Sequence, residues 1–170
     1  MRRVLIVVSI VLLSLSLVAQ TTKSKDAKKA TSKQAAAGVP DKALMQEIWA
    51  AWSTLDPANA AKFYAKGASH TFYDLAPMKY ESWTQYEEGV KSLLAGFKSA
   101  RMEVNDDARV HHAGSLAWGT ATWHGDFENK DGSQTAMDGR WTVIWEKRKG
   151  EWLIVHEHVS VPLPPEPEAK

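Results

Sequence analysis

Apolar positions along this chain follow three successive patterns. From Val4 to Val18 they run nearly unbroken, from Leu44 to Phe97 they recur every three or four residues, and beyond that they alternate. In the middle regime Leu44, Ile48, Ala51, Trp52 and Leu55 predict an amphipathic helix over about 42–55. Asp56-Pro57 opens a second helix over about 57–66: Asp56 suits a cap, Pro57 the first helical position and Gly67 a left-handed stop. Ser69 to Leu75 reads as a short strand. Ser82-Trp83-Thr84-Gln85 has the capping-box pattern, and Trp83, Tyr86, Val90, Leu93, Leu94 and Phe97 then line one face of a third helix. Period-two segments follow at about 99–105, 108–113, 115–127, 134–147 and 151–161, with turn signals at Asp131-Gly132 and Lys149-Gly150. Helices followed by hairpins predict the α+β class, with three N-terminal helices packed on a curved, mostly antiparallel sheet.

Turn length decides which strand residues share a face. Lysine is a poor residue for a two-residue loop at Lys149-Gly150, whereas a three-residue loop, Arg148-Lys149-Gly150, needs only Gly150 in the left-handed region. That loop sets Trp141 opposite Glu157, Val143 opposite Val155 and Trp145 opposite Leu153. A two- or four-residue loop around Asp131-Gly132 adds Trp118, Thr120, Thr122 and His124 to the same face. The helices are expected to cover this aromatic face. The opposite face carries Ala117, Gly119, Ala121 and Trp123, then Arg140, Thr142 and Ile144, then Trp152, Ile154, His156, His158 and Ser160. It is too apolar to be simply wet, so a second copy of the chain is expected to cover it. One β-bulge would exchange part of this assignment.

Charge and composition divide the 170 residues. Residues 1–40 hold no aromatic side chain and a net charge of +6, whereas residues 41–170 hold all sixteen aromatics and a net charge of −5. The acidic, aromatic part lacks the basic footprint of a nucleic-acid binder. With no cysteine there is no disulfide scaffold, thiolate metal site or cysteine nucleophile. Met1-Arg2-Arg3, the apolar run and Ala19 have the layout of a secretory signal over residues 1–19. Residues 20–40 read as a disordered basic tether, 41–162 as one folded domain and 163–170 as a proline-rich tail. The expected location is periplasmic or secreted, with no membrane contact beyond the signal.

The ending Gly139-Arg140-Trp141-Thr142-Val143-Ile144-Trp145, then Gly150-Glu151-Trp152-Leu153-Ile154-Val155-His156-Glu157-His158-Val159-Ser160, resembles the SnoaL-like branch of the nuclear transport factor 2-like superfamily. It also resembles the association domain of calcium/calmodulin-dependent kinase II. The resemblance implies a cone-shaped α+β domain, a pocket between helices and sheet, and a homodimer through the outer sheet face. It names no reaction, since relatives include isomerases, cyclases, dehydratases and pure binding modules. The steroid-isomerase pattern of a pocket carboxylate with a tyrosine donor is not matched, because the first helix carries Trp49 and Trp52 instead. Tyr73-Asp74 stands as an unmatched substitute, and Glu157 falls near the late acid of the polyketide-cyclase relatives.

Glu157 is the leading catalytic candidate: among Trp and Val side chains its charged form is disfavoured, which poises it for acid–base work. His124 is the second, on the same expected face. Tyr73, Trp118, Trp141 and Trp145 are the candidate ligand-binding residues. His156 and His158 make an i, i+2 pair without an evident third ligand, so neither a metal nor another cofactor is expected. Two functions remain open. One is an exported pocket protein performing acid–base chemistry on an apolar, polyketide- or steroid-like small molecule. The other is a non-catalytic binding or dimeric assembly module of the cell envelope.

Overall fold

A computed structural model describes residues 38–67 and 69–163. The expected signal and most of the tether, together with residues 164–170 of the tail, lie outside the described residues. The first helix, α1, spans Lys42–Trp52, with the Asp41 carboxylate accepting from the Leu44 N–H at 2.8 Å. It buries Met45, Ile48, Trp49 and Trp52 on one stripe. It stops short of Leu55, which takes a positive φ of 61°. The second helix is also shorter than its pattern: α2 covers only Pro57–Ala60 and runs into a 3₁₀ turn at Ala61–Phe63. Tyr64 then leaves helical geometry and bridges in parallel to Ile154. Strand β1 is Phe72–Tyr73, and α3 is Trp83–Leu94, capped by Ser82.

The sheet comprises β2 (Phe97–Val104), β3 (Arg109–Ala113), β4 (Leu116–Asn129), β5 (Gln134–Arg148) and β6 (Glu151–Ser160), with β1 parallel on the edge of β6. Its order is β1-β6-β5-β4-β2, and β3 also pairs with β4. The expected α+β class, with three helices on a mostly antiparallel sheet, is what forms. The core lies between the helices and one face of the sheet, where Trp123, Trp141, Trp145, Phe72 and Ile154 are fully buried.

Both turns differ in length from the expectation, and the consequences differ. The loop at Lys149-Gly150 has two residues, with Arg148 paired to Glu151 and φ of 51° at Lys149 and 92° at Gly150. Alone, that would turn Glu157 away from Trp141 and Val143. A bulge between Ile144 and Trp145 restores it: Trp145 pairs with Ile154, but Ile144 pairs with His156, leaving Val155 as the extra residue. Val143 therefore faces Glu157 and Trp141 faces Val159, while Ile154 moves to the core side opposite Trp145. The preceding loop has three residues, because Asn129 N–H bonds the Ser133 carbonyl at 2.8 Å and Gly132 supplies the left-handed position. No bulge compensates here, so β4 is reversed. Ala117, Ala121, Trp123 and Phe127 point inward, and Trp118, Thr120, Thr122 and His124 point outward.

Lys149 occupies the first position of a turn that favours Asn for its positive φ. Lys149→Asn is expected to raise unfolding stability in urea by about 0.5 kcal/mol, because the left-handed conformation costs Asn less.

Candidate functional site

Three separate segments converge on one carboxyl group. Glu157, on β6, is 1% exposed. Tyr64, just after the 3₁₀ turn, donates its hydroxyl to Oε1 at 2.9 Å, and Tyr86, on α3, donates to the same oxygen. Trp141, on β5, donates Nε1–H to Oε2 at 3.0 Å. Behind them the Trp52 indole of α1 donates to the Tyr64 oxygen at 2.9 Å. Every helical segment except α2 thus reaches Glu157 directly or through one intermediate.

These partners oppose the cost of burial. Burial raises Glu157 to about 7; hydrogen bonds from Tyr86, Trp141 and Tyr64 pull it down, and the nearby Asp74 carboxyl pushes it up. Burial also holds the Tyr64 and Tyr86 phenols well above their usual range, with the Glu157 charge adding to it, so both remain neutral donors. Asp74, just after β1, is raised by burial to about 6 against one hydrogen bond from the Leu75 N–H. The loop carrying it is pinched by paired backbone bonds between Phe72 and Tyr80, at 3.0 and 2.9 Å.

Glu157 and Asp74 both line a cavity of about 170 Å³ between the helices and the sheet. Its walls are otherwise apolar and include seven aromatic rings. Trp49 stacks on Trp123 at 4.8 Å and meets Trp141 edge-on at 5.5 Å. The indole N–H groups of Trp49 and Trp123 have no partner among the described residues. A dry apolar cavity of about 150 Å³ accepts a benzene-sized molecule, so this one suits a small ring compound.

Of the sequence candidates, Glu157 and Trp141 meet in this cavity. The other four are corrected. Trp145 is wholly buried against Met45 and Gly119 behind the cavity, as part of the core. Trp118 is 40% exposed on the outer face and stacks on His111 at 5.3 Å. His124 sits on that outer face with Asp138 at 2.8 Å and Asp126 at 3.2 Å, and these two raise its pKa. Tyr73 faces out over the edge strand, its ring edge-on to His156 and His158. Sequence reasoning gave no role to Tyr64 or Tyr86. Tyr86 did stand on the apolar stripe of α3, where a hydroxyl among core residues requires a partner.

A carboxyl whose pKa is higher in the folded chain than in the unfolded one binds its proton more tightly when folded. Its favourable contribution is present at low pH and is lost as pH rises from about 4.5 to about 7. For Glu157 that loss is about 3 kcal/mol. Glu157→Gln keeps an acceptor for Trp141 while the tyrosine oxygens can accept from the amide. It is expected to remove this part of the fall in stability, read from urea unfolding across that pH range.

Among solved structures, a nuclear transport factor 2-like superfamily protein from Salmonella enterica serovar Typhimurium is 20% identical, with a TM-score of 0.64 over 76% of this chain and 96% of that one. A Xanthomonas campestris protein, provisionally described as a calcium/calmodulin-dependent protein kinase II association domain, is 25% identical, with a TM-score of 0.61 over 75% and 86%. A provisionally described dehydratase of the same fold from Streptomyces avermitilis is 13% identical, with a TM-score of 0.60 over 69% and 89%. No curated protein matches. The fold is nuclear transport factor 2-like, and since the SnoaL-like domain model matches residues 42–164, the chain belongs to the SnoaL-like domain family.

Proposed function

We propose that this domain binds a small, largely apolar molecule in the cavity between helices and sheet, and that Glu157 exchanges a proton with it. The observation carrying the proposal is a carboxyl raised to about 7, held by three donors in the wall of an aromatic cavity. Near neutrality such a group populates both protonation states, as an acid–base residue must. The donors fix its position, so no reorganisation is needed when a ligand arrives. They are also occupied by Glu157, which leaves them unavailable as the oxyanion donors of the steroid-isomerase pattern. A ligand that displaced residual water would strengthen every charge interaction within the cavity.

Indole, a neutral ring of suitable size, serves as the first probe. Its binding is followed by calorimetry at about pH 7 in buffers of different ionisation enthalpy. The expected result is uptake of a fraction of a proton with the wild type and a smaller uptake with Glu157→Gln. Binding without any linked proton would overturn the acid–base role. No binding of any small ring compound, neutral or charged, would overturn the pocket itself.

An exposed apolar patch supports a second proposal, a homodimer through the outer sheet face. Trp118 and Leu116 are 40% and 45% exposed there, and Thr120 and Thr142 present short side chains beside them. Sedimentation at micromolar concentration is expected to give a dimer that Trp118→Arg converts to monomer; a wild-type monomer would contradict it. The basic start and apolar run of residues 1–19 support export, which intact-mass measurement of the protein from its own host tests by cleavage after Ala19.

A further inference from the structure

Glu157 and Asp74 place two carboxyls in one cavity whose wall offers neither of them a positive charge. Among the described residues lining it there is no Lys, Arg or His. A separate surface hollow that Asp74 also borders has one basic side chain among its lining residues, His158. Several cations pair with acids elsewhere: Arg148 with Glu146 at 2.6 Å, Lys98 with Glu128 at 2.7 Å and Lys79 with Glu81 at 2.6 Å. The other titratable groups facing the two carboxyls are the phenols of Tyr64, Tyr80 and Tyr86, all neutral. Glu157 has three neutral donors, but the only hydrogen bond Asp74 receives among the described residues is that of the adjacent Leu75 N–H, at 2.7 Å.

A carboxylate shielded from water is costly unless donors or a positive charge replace its hydration; Asp74 has one donor among the described residues, and either a proton or a ligand can bring the charge. The rest of the wall suits a ligand that brings it. Trp49, Trp52, Trp123 and Trp141 surround the same space, and an indole face is the strongest aromatic partner for a cation. The attraction grows when the bound ligand excludes water. We infer that the molecule bound here is an organic monocation, a protonated or quaternary amine on a small apolar body. The inference rests on the cavity being a small-molecule site and adds the charge of its ligand. Asp74, at the side of the cavity bordering the surface hollow, is the carboxylate nearest to being unsatisfied and therefore the anionic anchor.

Phenyltrimethylammonium and tert-butylbenzene have the same shape and differ in charge, so they form the test pair. Each is titrated into the protein with tryptophan fluorescence as readout, at about pH 8 and about pH 5. At the higher pH, where both carboxyls are ionised, the cation is expected to bind on the order of tenfold more tightly than its neutral counterpart. At the lower pH, where both are protonated, the preference is expected to shrink to near parity. Near pH 7 the cation should release protons on binding, opposite in sign to the uptake expected with a neutral ring. Asp74→Asn is expected to cut the preference at the higher pH severalfold. Equal or tighter binding of tert-butylbenzene at about pH 8 would overturn the inference while leaving the pocket standing. So would a preference unaltered at about pH 5. Failure of both probes to bind would overturn the pocket and the inference together.

Discussion

Moving a carboxylate from water into a shell of indole and phenol rings costs several kcal/mol unless donors replace the lost hydration. Glu157 meets that requirement with donors from three separate segments: Tyr64 after the 3₁₀ turn, Tyr86 on α3 and Trp141 on β5. Trp52 extends the set into α1 through the Tyr64 oxygen. Unlike van der Waals packing, these bonds have direction, so they fix the helices laterally as well as pressing them onto the sheet. If any of these segments shifted by an ångström or two, a buried charge would lose a partner. Burial raises the carboxyl to about 7 against the downward pull of three of these side chains, Tyr86, Trp141 and Tyr64. The stability of the helical layer and the chemistry of the cavity therefore depend on one group.

Much of this architecture is legible in the sequence because it follows from local periods and caps. The stripe of α1, the Asp56-Pro57 start of α2 and the Ser82 cap of α3 appear where the pattern puts them. Faces of the strands are harder, since they depend on the parity of loop length and bulges. Glu157 falls on the inner face by two compensating changes, a two-residue turn and an extra residue at Val155. Nothing in the alternation of β6 marks that bulge. In β4 the three-residue loop has no such compensation, so Trp118 and His124 lie outside, while Trp123, assigned to the outside, is 1% exposed. Smooth stripes such as Ala117, Gly119 and Ala121 favoured either side: they make room for the Trp145 ring and Met45 on the inside as readily as for a flat interface outside.

The partners of Glu157 were illegible for a different reason. Tyr64 stands 93 positions from Glu157 and Tyr86 stands 71 positions away, and no local rule connects them. What the sequence did contain was a buried-looking carboxylate beside apolar neighbours, which implies partners without naming them. Asp74 was visible only as half of a Tyr73-Asp74 pair. The edge strand then turns Tyr73 outward to the histidines of β6 and leaves its neighbour to line the cavity. Within the SnoaL-like fold of this chain, these two carboxyls and their aromatic walls define the chemistry of the cavity.

Titration of the Glu157 carboxyl carbon by NMR, assigned by comparison with Glu157→Gln, tests the central claim most directly. A midpoint near 7, shifted upward when Tyr86→Phe removes one donor, is the result expected from a buried, hydrogen-bonded acid–base group. A midpoint near that of a free glutamate, about 4.3, unaffected by Tyr86→Phe, would contradict it.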